Sequence, residues 1–221
     1  YKLVFFGIEN PNVDFRAKDI EEKNGFTSFT VEFYGASQRV TVPTVGIHNV
    51  YDALAAFAVG YEMRMEPRKI AAGLKSFVPS GMRQRIKKVG GITVIEDCYN
   101  ASPDSQKAAL DVLSSFKSNR RIAVLGDMLE LGKYSDVSHE NVGKYTENKN
   151  IDILFTYGAK AKHIAEGAKG FVDEIKSFDD KTELTKALLE TLKDGDAVLF
   201  KASRGMKLED VINSLYREWE E

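Results

Sequence analysis

From Arg83 to the end of the chain, short apolar runs alternate with amphipathic stretches, and this rhythm constrains the fold more than any other feature. The runs are "ITVI" (92–95), "IAVL" (122–125), "IDILF" (151–155), a weaker "FVDEI" (171–175) and "AVLF" (197–200). Each is too short for a buried helix, and the stretches between them carry helical spacing. A helix from Pro103 takes Ser102 as its cap, sets Asp104 near the positive end of its dipole, and turns Ala109, Val112, Leu113 and Phe116 inward. The last helix carries Leu208, Val211, Ile212, Leu215 and Trp219. Continuous apolar strands separated by helices predict an α/β fold, a mostly parallel sheet covered by helices on both faces.

Residues 1 to about 45 read differently. "YKLVFFGIEN" looks like a strand already under way, and "IENPN" is a turn before "FRAKDIEE". In "TSFTVEFYG", Phe29, Val31 and Phe33 alternate with polar neighbours, the period of a half-buried strand. Gly35–Ser37 turns and "QRVTV" returns, which predicts a small antiparallel meander. "GIHNVYDALAAFAVGYEM" then gives a helix with Val50, Ala53, Leu54, Phe57 and Ala58 on one stripe and Asn49 as its N-cap. A shorter helix starts at Pro67 and buries Ile70 and Leu74. Pro79 and Gly81 break the pattern, so the chain divides into residues 1–80 and 81–221.

Composition closes several routes. The formal net charge of -2 argues against bulk nucleic-acid binding, which needs a basic surface. The single cysteine, Cys98, excludes an internal disulfide and a cysteine-cluster metal site; with no histidine near it in sequence it reads as a buried small side chain in a reducing, cytoplasmic protein. No apolar run approaches the ~20 residues of a membrane span. His139 and His163 lie on helices without ligand spacing and read as surface residues; Met63 and Met65 read as core or surface filler.

In open parallel sheets, ligands bind beyond the carboxyl ends of the strands. Four loops sit there: "EDCYNASP", "GDMLELG", "TYGAK" and "KASRGMK". The second invites comparison with a phosphate-binding loop. Five residues rather than four separate Gly126 from Gly132, and Tyr134 follows Lys133 where a small hydroxyl is needed, so it is not one. In the first loop, Asp97 could accept from ribose hydroxyls with Asn100 close by, or both could be turn residues bonding their own backbone. In the fourth, Lys201, Ser203 and Arg204 could hold an anion, or form a solvated loop with an N-cap serine. His48 and Asn49 could read a base edge, or cap and pack their helix.

The stretches "GIHNVYDALAAFAVG", "PSGMRQR", "IEDCYNASPDSQKAAL", "RRIAVLGDMLELG" and "LFKASRGMKLEDV" together resemble the Mur ligase family, over residues 46 to 213. The resemblance implies a Rossmann-like C-terminal domain over residues 81–221, preceded by the end of a central ATP-binding domain over 1–80. It further implies an ATP-dependent amide ligase of peptidoglycan synthesis. In such a ligase ATP, with Mg2+, phosphorylates the carboxylate of UDP-MurNAc-tripeptide, and the amine of D-Ala-D-Ala displaces phosphate. By the same resemblance His48, Asn49 and Asp52 lie at the adenine, though the family often has asparagine where Asp52 stands. Arg83, Asp97 and Asn100 approach the ribose and phosphates, while Tyr157, Gly158, Ser203 and Arg204 face the dipeptide. The family's phosphate loop, most magnesium ligands and UDP-binding domain are not among these motifs. The expectation is therefore the C-terminal part of a monomeric cytoplasmic ligase, inactive by itself. A related ligase with another amino-acid acceptor, or a non-catalytic nucleotide- or peptide-binding module, are the alternatives.

Overall fold

The computed structural model describes residues 2–23, 25–78 and 81–220. The chain forms two compact units, Tyr1–Pro79 and Ser80–Glu221. Pro79, on which the expected boundary partly rests, lies outside the described residues.

In the first unit, β1 (Phe6–Gly7), β2 (Phe15–Lys23), β3 (Phe26–Phe33) and β4 (Ala36–Val42) form one sheet in chain order. The meander holds for β2, β3 and β4, which pair antiparallel, but β1 pairs parallel to β2 and is only two residues long. Side chains shape the bend that does this. The Asp14 carboxylate accepts the Phe5 N–H at 2.8 Å, and the Arg16 guanidinium donates to the Ile8 carbonyl at 3.0 Å. The reversal between β3 and β4 falls at Tyr34–Gly35, both at positive φ, so β4 has begun where the sequence suggested a turn. Phe29, Val31 and Phe33 are buried, as alternation required, against α1 (Ile47–Glu62). Phe15, Phe33 and Phe57 meet with ring centroids 5.3–6.2 Å apart. The N-cap of α1 is Gly46; Asn49 sits inside the first turn instead, its side-chain amide donating back to the Val45 carbonyl at 2.8 Å. α2 (Pro67–Lys75) starts at its proline and buries Ile70.

The second unit holds a sheet in the order β5-β6-β10-β7-β8-β9, with β5 (Arg85–Val89), β6 (Ile92–Asp97), β7 (Arg121–Gly126), β8 (Ile153–Tyr157), β9 (Glu174–Phe178) and β10 (Ala197–Lys201). All neighbours pair parallel except β5 with β6. β5 had no sequence signal, because "RIKKV" is an edge strand with charged positions. β9 starts three residues later than "FVDEI" and shares its last two: Phe171 is exposed, and the opposite edge tolerates polar residues.

Among the described residues five α-helices accompany the sheet: α3 (Pro103–Ser115), α4 (Ser135–Lys144), α5 (Lys162–Gly167), α6 (Lys181–Thr191) and α7 (Glu209–Glu220). Leu184 and Leu188 of α6 and Val211, Ile212 and Leu215 of α7 cover the face carrying Val94, Val124, Phe155 and Phe200. The alternate strand residues point to the other face, where α3 and α5 lie. α4 packs on α5 through two glycines. A Cβ on Gly143 would stand 2.1 Å from the Ile164 carbonyl oxygen, and one on Gly167 would stand 2.1 Å from that of Glu140.

Candidate functional site

The strand order selects the site. The chain leaves β6 for β7 and only returns at β10 to fill the gap between them, so the carboxyl ends of β6, β10 and β7 meet where the winding reverses, the place where open parallel sheets bind ligands. Three local features set its rim. Ser102 caps α3 in a reciprocal pair with Ser105, which fixes where the β6 loop ends. Gln106, fully buried on α3, donates to the Gly126 carbonyl at 2.9 Å and pins the end of β7. Gly158 turns at φ 109, and a Cβ there would stand 2.5 Å from Asp127 Oδ1, so only glycine lets the two loops touch.

The four loops are tied to one another by buried polar groups. Lys201, 2% exposed, reaches Asp97 Oδ2 at 3.0 Å and donates to the Asn100 carbonyl at 2.7 Å. The Ser203 hydroxyl accepts the Leu129 N–H at 2.9 Å and donates to the Ala101 carbonyl, while the Ser203 N–H donates to the Asp127 carbonyl at 3.1 Å. Asp127 Oδ1 accepts the Ala161 N–H at 2.6 Å. Asp97, Asn100, Lys201 and Ser203 thus form one group, and Asp127 links it to Tyr157 and Gly158.

"KASRGMK" is therefore not a solvated loop at its start. The Lys201 ammonium is directed at protein oxygens, and the Ser203 side chain makes no cap bond. Asp97 Oδ1 also accepts the Gln84 N–H at 3.3 Å, and the Asn100 side chain accepts the Ala101 N–H, the local turn bond that sequence allowed. Arg83 is exposed and lies 4.1 Å from the centre of the Tyr99 ring, presenting a cation on an aromatic face beside the β6 loop. Arg204 is exposed, with Glu209 at 3.1 Å. His48, Asn49 and Asp52 belong to the first unit, on the first two turns of α1; His48 Nε2 and the Asn49 amide are 3.0 Å apart.

Two residues depart from the sequence reading or escaped it. His139 is no surface residue: it is fully buried, its Nε2 accepts the Met128 N–H at 2.9 Å, and Nδ1 donates to the Ser135 carbonyl at 2.7 Å. Burial holds its pKa below the ordinary 6.5. Glu96, fully buried behind Asp97, accepts from the Tyr216 hydroxyl at 2.5 Å and pairs with Lys87 at 3.1 Å; burial, then this carboxylate, push the Tyr216 phenol upward. An i, i+4 serine–histidine pair across "SDVSH" could have flagged the first; nothing in the sequence flags the second. Cys98 is buried as expected. Burial raises its thiol to about 12, and its Sγ donates to Met82 Sδ at 3.3 Å.

Residues 82–204 match the family described as "Mur ligase, glutamate ligase domain", and residues 1–60 match "Mur ligase middle domain". A UDP-N-acetylmuramoyl-tripeptide--D-alanyl-D-alanine ligase of Bacillus subtilis is 39% identical over 91% of this chain and 45% of its own length. Its namesake from Escherichia coli is 33% identical over 97% of this chain and 47% of its own. The chain thus spans just under half the length of these curated relatives. Among solved structures, MurF from Acinetobacter baumannii superposes with a TM-score of 0.86 at 27% identity, over 97% of this chain and 46% of that one. MurF from Thermotoga maritima in complex with ADP gives 0.83 at 25%, over 98% and 49%. The fold, the tied loops at the switch point and the match over residues 82–204 converge: this chain belongs to the Mur ligase family.

Proposed function

We propose that this chain is the C-terminal part of an ATP-dependent ligase that joins D-Ala-D-Ala to UDP-MurNAc-tripeptide in peptidoglycan precursor synthesis. The observation that carries this is the set of relatives named for that reaction, aligned over more than nine-tenths of this chain. Residues 1–80 would complete a central ATP-binding domain and residues 81–221 form the C-terminal domain.

ATP supplies the phosphoryl group that turns the tripeptide carboxylate into an acyl phosphate. The Arg83–Tyr99 stack fits that ligand class, an exposed cation and ring able to meet phosphate and ribose. Asp97 and Asn100 back it from the β6 loop, and His48, Asn49 and Asp52 are assigned to the adenine. Among the described residues no group of three His, Cys, Asp or Glu could hold a metal ion, so magnesium is given no ligand here. Arg204, steadied by Glu209, is assigned to the dipeptide carboxylate, and Tyr157 and Gly158 line the same side. Ser203, its hydroxyl already engaged, shapes this site by joining its loops. Such placement brings the amine to the activated carbonyl, where most of the rate enhancement arises from orientation and charge neutralisation. No helix among the described residues is long and apolar enough to cross a membrane. From its nucleotide-linked substrates we place the enzyme in the cytoplasm, and we take it to act as a monomer.

The test is phosphate release by the complete gene product with ATP, magnesium and UDP-MurNAc-tripeptide, comparing D-Ala-D-Ala with single amino acids. Release dependent on D-Ala-D-Ala is expected, and the 221-residue chain alone should give none. Release only with another acceptor would replace the substrate; none with any would point to a binding module.

A further inference from the structure

His139 is a buried titratable side chain that the proposed reaction does not use, and its bonds to two backbone groups define its state, with the Ser135 hydroxyl also 3.4 Å from Nδ1. Because Nε2 accepts from the Met128 amide, the ring proton sits on Nδ1, where the Ser135 carbonyl takes it. The Met128 amide lies in the middle of the turn whose neighbours tie the loops. Asp127 before it holds the Ala161 N–H and abuts Gly158, and Leu129 after it donates to Ser203. We infer that His139 is a positioning residue for the incoming peptide: its neutral ring fixes the Asp127–Leu129 turn and, through it, the alignment of the β7, β8 and β10 loops. This rests on the reading of those loops as the dipeptide site.

The charges around the ring are few. Asp127 and Asp136 favour its protonation and His163 on α5 opposes it. Asp136 is paired with Lys160, Lys162 of α5 with Asp179, and Asp111 of α3 with Lys149. A protonated ring has no acceptor at Nε2, so the Met128 amide would lose its partner in a buried place. The turn would then be held from its two ends only.

The experiment pairs kinetics with hydrogen–deuterium exchange on the complete gene product. His139→Leu keeps an apolar side chain without the acceptor; His139→Gln offers an amide oxygen in reach of the Met128 N–H. In His139→Leu, exchange across residues 126–131 should accelerate about tenfold, the factor matching one lost buried hydrogen bond. The KM for the acceptor dipeptide should rise by about the same factor, with the KM for ATP within about twofold. His139→Gln should restore both. In the unmodified enzyme the acceptor KM, reckoned on the free amine, should climb only at a pH lower than the ordinary 6.5 of a histidine, and His139→Gln should remove that step. Unchanged exchange in a folded His139→Leu, or an equal rise in the KM for every substrate, would overturn the inference. Should His139→Leu not fold, the pH step and its loss in His139→Gln decide alone. Absence of turnover in the unmodified enzyme would refute the ligase reading instead, and the exchange arm would still decide whether His139 holds the turn.

Discussion

Lys201→Met tests whether the last sheet strand ends in a structural cation or a ligand-binding one. The ammonium has three oxygens around it: Asp97 Oδ2 at 3.0 Å, the Asn100 carbonyl at 2.7 Å and the Asp97 carbonyl at 3.4 Å. Methionine keeps the length and the apolar stem and removes every donor. Stranding the partner of a buried ion pair costs about 3–5 kcal/mol. Asp97 keeps 19% of its side chain in water and still accepts from Gln84, so the cost should fall at the bottom of that range. A loss of about 3 kcal/mol in a unit of this size lowers Tm by roughly 6–12 °C. Thermal unfolding of the variant, of Asp97→Asn and of the double variant closes a cycle whose coupling should exceed about 1.5 kcal/mol. A Tm unchanged in Lys201→Met, together with weakened nucleotide or phosphate binding, would refute the reasoning and return Lys201 to the anion site that "KASR" first suggested.

Gly167→Ala should destabilise the second unit by about 3 kcal/mol, the upper end for overpacking, because the new methyl would meet the Glu140 carbonyl and both helices are held by backbone there; a denaturant midpoint within error of the parent would contradict it. Cys98, buried and raised to about 12, should resist a disulfide reagent at pH 8 in the native protein and react at once in denaturant, which an absorbance assay separates. Because burial lowers the pKa of His139, the unfolded chain binds its proton first as pH falls below 6.5; stability present above that pH should therefore decline on acidification, and a series of denaturant midpoints from pH 8 to 5 should show the decline shrink in His139→Gln.

Periodicity made most of the fold legible, since a buried parallel strand or an amphipathic helix must write its burial into the spacing of its side chains. The five apolar runs each belong to or adjoin a parallel strand, and the α1 stripe from Val50 to Ala58 is buried residue by residue. What escaped was edge and register. β5 is charged at three of its five positions, β1 is two residues long, and β9 has too few buried positions for its start to be marked. At the site, the loops could be located because strand ends fix them, but the partners of their side chains could not. Lys201 meets Asp97 from more than one hundred residues away, and although the spacing of "SDVSH" can suggest the Ser135 contact of His139, the Met128 amide that occupies its Nε2 leaves no trace in sequence.

The place of β10 in the sheet also sets the order in which the second unit can be finished during synthesis. β6 and β7 are made early, yet neither can pair with the other; each waits with an open apolar edge until residues 197–201 arrive and close both at once. A nascent chain stalled before Ala197 is therefore two half-sheets with exposed inner edges, prone to join other chains. A stop codon there would remove β10 and the α7 that follows it, and with them the middle of the sheet and part of one covering layer.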